Sequence, residues 1–198
     1  DTLIKSLGGM ENCKRVLENF RERVRKAGLG ELHLNAVLFN VKILEGDGVL
    51  VSPKEQLDYL GFDSATSYVW AHHSPFDFPK HSFEKIKAKV FEDCRKYDKE
   101  LTVPYYPNAT MGWDASPRTT QSDIWGDYGY PFTGILEISP QQFEQALREM
   151  KAYLENRPEK DRILTINAWN EWTEGSYLEP DTEYGYAYLE AIKKVFEG

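Results

Sequence analysis

The sequence is poor in the features that most directly betray a chemistry. Of 198 residues only 2 are cysteine and 3 methionine. Cys13 and Cys94 each fall at an apolar position of a predicted helix, so they read as buried small hydrophobes rather than a disulfide or a metal pair. No apolar run approaches the roughly 20 residues that cross a bilayer, and the opening Asp1-Thr2-Leu3-Ile4-Lys5 does not read as a signal peptide. Basic residues are outnumbered, 24 Lys and Arg against 32 Asp and Glu, for a net charge of −8. With no basic stripe, nucleic acid is excluded as a partner. No glycine-rich phosphate loop follows any predicted strand, which argues against a nucleotide-binding open sheet. At 41% hydrophobic and 28% charged, the chain is neither disordered nor membrane-spanning.

What is abundant is aromatic surface: 12 Tyr and 5 Trp, much of it in predicted loops, where it points toward a ligand. The order of elements supplies the frame. Residues 11–27 carry a helical stripe of Cys13, Val16, Leu17, Phe20, Val24 and Ala27 ended by Gly28. A buried strand is expected over 32–41. Ser52-Pro53-Lys54-Glu55 opens a short helix with a capping box and ends near Gly61. A second strand is expected over 64–71, a helix over 82–99, a third strand over 101–106, and an aperiodic loop over 107–131. Ser139-Pro140-Gln141-Gln142 opens another capped helix with Phe143, Ala146, Leu147, Met150 and Leu154 inward. A fourth strand over 162–169 and a last helix over 182–196 close the chain.

A helix followed by four strand–helix units predicts an α/β fold with about four parallel strands and outer helices. That is one domain over 1–198, read as the C-terminal half of a (βα)8 TIM barrel, shorter than the about 250 residues of a closed one. Both sheet edges would then stand open, so a missing N-terminal half-barrel or self-association is expected to cover them.

The most informative stretch is Thr165-Ile166-Asn167-Ala168-Trp169-Asn170-Glu171-Trp172-Thr173-Glu174-Gly175. In parallel α/β folds, ligands bind at the carboxyl ends of strands. Two carboxylates three residues apart on a tight turn can lie side by side, one protonated and one ionised. That is the pairing glycoside cleavage requires, and Trp169 and Trp172 offer faces on which sugar C–H groups stack. The plainer alternative is that Glu171 and Glu174 cap the following helix.

Asn167-Ala168-Trp169-Asn170-Glu171-Trp172-Thr173-Glu174-Gly175, continuing through Leu178-Glu179-Pro180-Asp181 to Tyr184-Gly185, resembles the signature of glycoside hydrolase family 99-like proteins, including the WbsX type of bacterial polysaccharide clusters. Tyr105-Tyr106-Pro107 with Gly112-Trp113-Asp114 and Arg118, and Gly61-Phe62-Asp63 with Tyr68, resemble earlier elements of that pattern. The resemblance implies a (βα)8 barrel, retaining hydrolysis of α-linked, mannose-type glycans, and no cofactor. It assigns Glu171 as base toward the sugar 2-hydroxyl and Glu174 as acid/base. Thr173 departs from it, standing where the characterised enzymes carry His. A polymeric glycan partner leans the location toward the extracytoplasmic side. A WbsX-type glycosyltransferase and a non-catalytic carbohydrate-binding domain are the rival readings.

Other candidates carry a plain alternative each. Asn170 binds a sugar hydroxyl or simply shapes the turn. Trp113, Asp114 and Arg118 sit in the long loop, where Arg118 either serves the site or pairs with Asp114. Strand alternation sends Tyr105 and Tyr106 to opposite faces, so only one of them can face a sugar, with Tyr106 carried as the candidate. Tyr68 and Trp70 share a strand face as a sugar platform or as core. His72 and His73, with His81 near, lack a completing carboxylate for a metal. Glu179 and Asp181 read as caps of the last helix, and Asn108-Ala109-Thr110 matches a glycosylation acceptor.

Overall fold

The computed structural model describes residues 2–38, 52–74 and 77–197. The chain enters through α1 (Thr2–Ser6) and α2 (Met10–Lys26), then β1 (Asn35–Val37). Next come α3 (Pro53–Leu60), β2 (Ser64–Thr66) and α4 (Phe83–Glu100). β3 (Tyr105–Tyr106), β4 (Asn108–Thr110), β5 (Gly112–Trp113) and β6 (Leu136–Glu137) lead into α5 (Pro140–Glu155). β7 (Thr165–Asn167), β8 (Asn170–Glu171), β9 (Ser176–Tyr177) and α6 (Ala187–Phe196) complete it. The strand expected over 32–41 is described only to residue 38; 39–41 lie outside the described residues.

Local chemistry sets the helix starts. Both predicted capping boxes are present: Ser52 exchanges hydrogen bonds with Glu55, and Ser139 with Gln142, each followed by proline in the first turn. Ser82 caps α4 by accepting from Lys85 N. Phe83, Ile86, Val90, Cys94 and Tyr97 are buried on α4, and the predicted stripe of α5 is buried throughout. On α2 only Cys13 and Leu17 are buried, while Val16 and Phe20 stay exposed. Cys13 and Leu17 reach only a small second cluster with Leu60, which α1, Leu34 and Phe62 close.

β1, β2 and β3 form a parallel sheet in register Asn35↔Ser64 and Ala65↔Tyr105. β4 pairs in parallel with β7, Asn108 opposite Thr165. Between β3 and β4 stands Pro107, which has no N–H for a ladder; its carbonyl accepts from Thr165 N at 2.9 Å. The 105–110 segment therefore serves β2 first and β7 afterwards. Thr66 Oγ1 bridges the switch, 2.7 Å from Tyr106 O and 3.0 Å from Thr165 Oγ1. Four parallel segments thus run side by side in chain order, with α4 and α5 packed against the core of Trp70, Ile86, Val90, Phe143, Leu147 and Met150. Burying a side chain such as Leu147 contributes about 1.5–3 kcal/mol.

Three expectations are corrected. The third strand is not 101–106: Leu101 ends α4, and the strand lies four residues later, continuing into the presumed loop. Asn108, read as a glycosylation acceptor, is 2% exposed in that central strand. The second strand stops at Thr66, and Trp70 begins a 3-10 turn, Trp70–His72, instead of extending a sheet face with Tyr68.

Candidate carbohydrate site

The site is built where β7 ends. Antiparallel β8 and β9 pair Asn170 with Tyr177 and Glu171 with Ser176, and a 3-10 turn, Trp172–Glu174, joins them. Gly175 closes that turn at φ 57°, ψ 28°, a left-handed conformation that favours glycine. The two glutamates thus sit on a hairpin loop and cannot cap α6, which starts only at Ala187. From the other side come β5, paired antiparallel with β6, and the 3-10 turn Ser116–Arg118. Asp114 N donates to Glu174 O at 2.7 Å and latches the two loops together.

Arg118 is the meeting point. Its Nη2 lies 2.8 Å from Glu171 Oε1 and 3.4 Å from Glu174 Oε1, so those two oxygens stand at most about 6 Å apart. Its Nε donates to Thr173 Oγ1 at 3.1 Å, and Thr173 Oγ1 donates to Glu171 Oε1 at 3.1 Å. Thr173 thereby relays the cation to the same carboxylate. The side chain of Glu171 is 34% exposed and that of Glu174 only 11%. Burial pushes the Glu174 carboxyl above its ordinary range; Arg118 opposes this, Glu171 adds to it, and a hydrogen bond from Tyr130 opposes it. That bond runs from Tyr130 Oη to Glu174 Oε1 at 3.3 Å. The Tyr68 hydroxyl is pushed up as well, by burial first and then by the charges of Glu174 and Glu171.

The other sequence candidates fall on both sides of the line. Trp113 is buried next to the site, its Nε1 on Thr133 Oγ1 at 3.1 Å and its ring 6.4 Å from that of Tyr130. Asp114 is taken up by its own turn, accepting from Ser116 N at 2.9 Å, while Arg118 pairs with the glutamates. Asn170 and Trp169 are exposed on the hairpin. Trp172 stacks on Tyr177 with centroids 3.8 Å apart and donates to Glu179 Oε2 at 2.7 Å, so one indole face and its N–H are already occupied. Trp70 is a correction: it is fully buried, stacked on Phe83, with Nε1 on Asn108 O at 2.8 Å. Tyr106 is 7% exposed, its ring nearly parallel to that of His33, while Tyr105 faces Tyr97 of α4. Asp181 accepts from Glu183, Tyr184 and Gly185 N and so caps the turn before α6, not the helix itself.

The histidines go to separate surroundings. The His72 ring lies between Tyr68 and Trp113, and burial lowers its pKa to about 4. His73 Nδ1 is 2.9 Å from Asp93 Oδ2, a buried pair. Among the described residues no cluster of three or more His, Cys, Asp or Glu could hold a metal. Tyr130 is the functional neighbour that sequence reasoning missed; its one signal was its place in the aromatic-rich 124–132 tract.

The fold has a solved counterpart: a glycoside hydrolase-like protein matches with a TM-score of 0.58 and 17% identity, covering 93% of this chain and 49% of that one. A looser likeness, TM-score 0.39 and 14% identity, is to the GH99 endo-α-mannosidase of Bacteroides thetaiotaomicron, covering 72% of this chain and 42% of that one. Parallel strands bearing helices, with paired carboxylates on the loops beyond their ends, define an α/β protein whose candidate site lies at the carboxyl ends of its strands. The family model described as "Glycosyltransferase WbsX" matches residues 3–192. The chain belongs to that WbsX family. Two proteins named "Uncharacterized protein WxcX", from Xanthomonas campestris pv. campestris strains B100 and ATCC 33913, are each 38% identical over 91 residues. Those matches cover 45% of this chain and 12% of each relative's length. No helix among the described residues is long and apolar enough to cross a membrane.

Proposed function

We propose that this chain is the C-terminal half of a (βα)8 barrel and carries the catalytic pair of a retaining glycoside hydrolase acting on α-linked, mannose-type glycans. The half-barrel is supported by four parallel segments in chain order and by a likeness covering about half of a larger solved protein. One observation carries the chemistry: two glutamate oxygens within about 6 Å of each other, one side chain half-buried and the other largely buried. That separation is shorter than the about 6.5–9.5 Å at which inverting pairs stand apart to admit a water.

In this reading, Glu171 takes the proton of the sugar 2-hydroxyl while that oxygen attacks the anomeric carbon. The glycosidic C–O bond breaks, and Glu174 gives its proton to the leaving oxygen. Water then opens the 1,2-anhydro sugar. Glu174 removes a proton from the water, and Glu171 returns its own to O2. The raised affinity of Glu174 for a proton suits the acid half of this cycle. Arg118 balances the charge of the pair, and Thr173 links its guanidinium to Glu171 by a second path.

The family's description favours a second reading, glycosyl transfer in polysaccharide assembly. Incubation with α-mannan and bacterial glycans, analysed for released sugars, tests the first. Glu171→Gln and Glu174→Gln each lower release by about 10²–10⁴-fold while glycan binding persists. Undiminished release from either variant overturns the assignment, and transfer from a nucleotide sugar without hydrolysis favours the second reading.

A further inference from the structure

Beside the carboxylates lies an aromatic tract that the catalytic reading leaves unused. Tyr130 is 55% exposed, with its hydroxyl on Glu174, and touches Trp113 at 6.4 Å between centroids. Two residues on, Phe132 meets both Trp125 and Tyr128 at 5.7 Å, and Trp125 meets Phe78 at 6.0 Å. Tyr128 stands 69% exposed at the outer end. A turn bridged at Gly129 and Phe132 holds these rings together. Residues 119–136 include Asp123 and Asp127 and no lysine or arginine.

We propose that this 124–132 segment is a binding wall carrying the glycan outward from the carboxylates, for several consecutive sugar units of a neutral chain. The inference rests on the glycoside reading and names the substrate class for it. Continuity argues for a glycan occupant: the wall begins at a tyrosine bonded to Glu174 itself. Composition agrees, since tyrosine and tryptophan offer flat faces to sugar C–H groups and polar edges to hydroxyls. Charge selects the class. Asp127 within the segment and Asp123 at its edge, with no lysine or arginine between residues 119 and 136, repel uronate- or phosphate-bearing chains.

The test is calorimetric titration of the full chain with neutral α-linked manno-oligosaccharides of increasing length, and with an acidic oligogalacturonate. Affinity rises with length in the native protein. Tyr128→Ala, at an exposed position where folding is undisturbed, weakens the longest ligand about three- to tenfold and flattens the series. Tyr128→Phe restores it, and Glu174→Gln retains the length dependence. Affinity independent of length, no binding at any length, or tighter binding of the acidic ligand overturns the wall. So does a dimer that Tyr128→Ala dissociates, since the tract is then a contact between copies. Turnover that survives Glu171→Gln and Glu174→Gln instead counts against the catalytic reading.

Discussion

Replacing Gly175 by alanine isolates what holds the carboxylate loop in shape. Gly175 sits at φ 57°, where a side chain costs about 1–2 kcal/mol. A Cβ there would stand 2.9 Å from Asp114 Cβ and 3.0 Å from Asp114 N. Asp114 N is also the donor to Glu174 O at 2.7 Å. Relieving the overlap moves the two loops apart and weakens that bond, a further loss of about 1–2 kcal/mol. The expected destabilisation is about 2–4 kcal/mol, a fall in Tm of about 4–16 °C for a domain of this size. Gly185→Ala is the control: its φ is 55°, yet no atom lies within 4 Å of the added Cβ, so it pays the backbone term alone. Thermal unfolding of the two variants side by side decides the matter. Equal losses, or a smaller loss at position 175, refute the close approach of the loops. Because the displaced bond belongs to Glu174, Gly175→Ala is also expected to lower turnover where Gly185→Ala does not.

Two further outcomes follow from the same geometry. The folded protein binds the Glu174 proton more tightly than the unfolded chain does. Its stability therefore falls as pH climbs from the ordinary glutamate range through the raised value. Denaturant midpoints against pH show this fall in the native protein and lose it in Glu174→Gln; identical profiles contradict the burial argument. Among the indoles, Trp70→Phe leaves Asn108 O without its buried donor and costs about 1–3 kcal/mol. Trp169→Ala, at 54% exposure, stays within about 0.5 kcal/mol, and urea unfolding separates the two.

The helices show how far local signals reach. Ser52, Ser82 and Ser139 cap their helices by bonds spanning three residues, so neighbouring sequence suffices to place them. The strands do not work this way. Asn108-Ala109-Thr110 reads as loop beside Pro107, yet becomes a buried strand because Thr165–Asn167, more than fifty residues away in the chain, supplies its partner. Trp70 fails for the converse reason: alternation continues past Thr66, but among the described residues no strand pairs with it to extend the ladder.

The amino-acid order alone determined the alternation of strand and helix, the buried faces of α4 and α5, and the two glutamates set three apart at a strand's end. These follow from periodicity, capping and spacing, all short-range. Only tertiary structure decided what surrounds those glutamates. Arg118 reaches Glu171 across 53 residues, and Tyr130 reaches Glu174 across 44. Burial sets the protonation of a carboxyl, and burial is a property of the packed loops rather than of any segment within them.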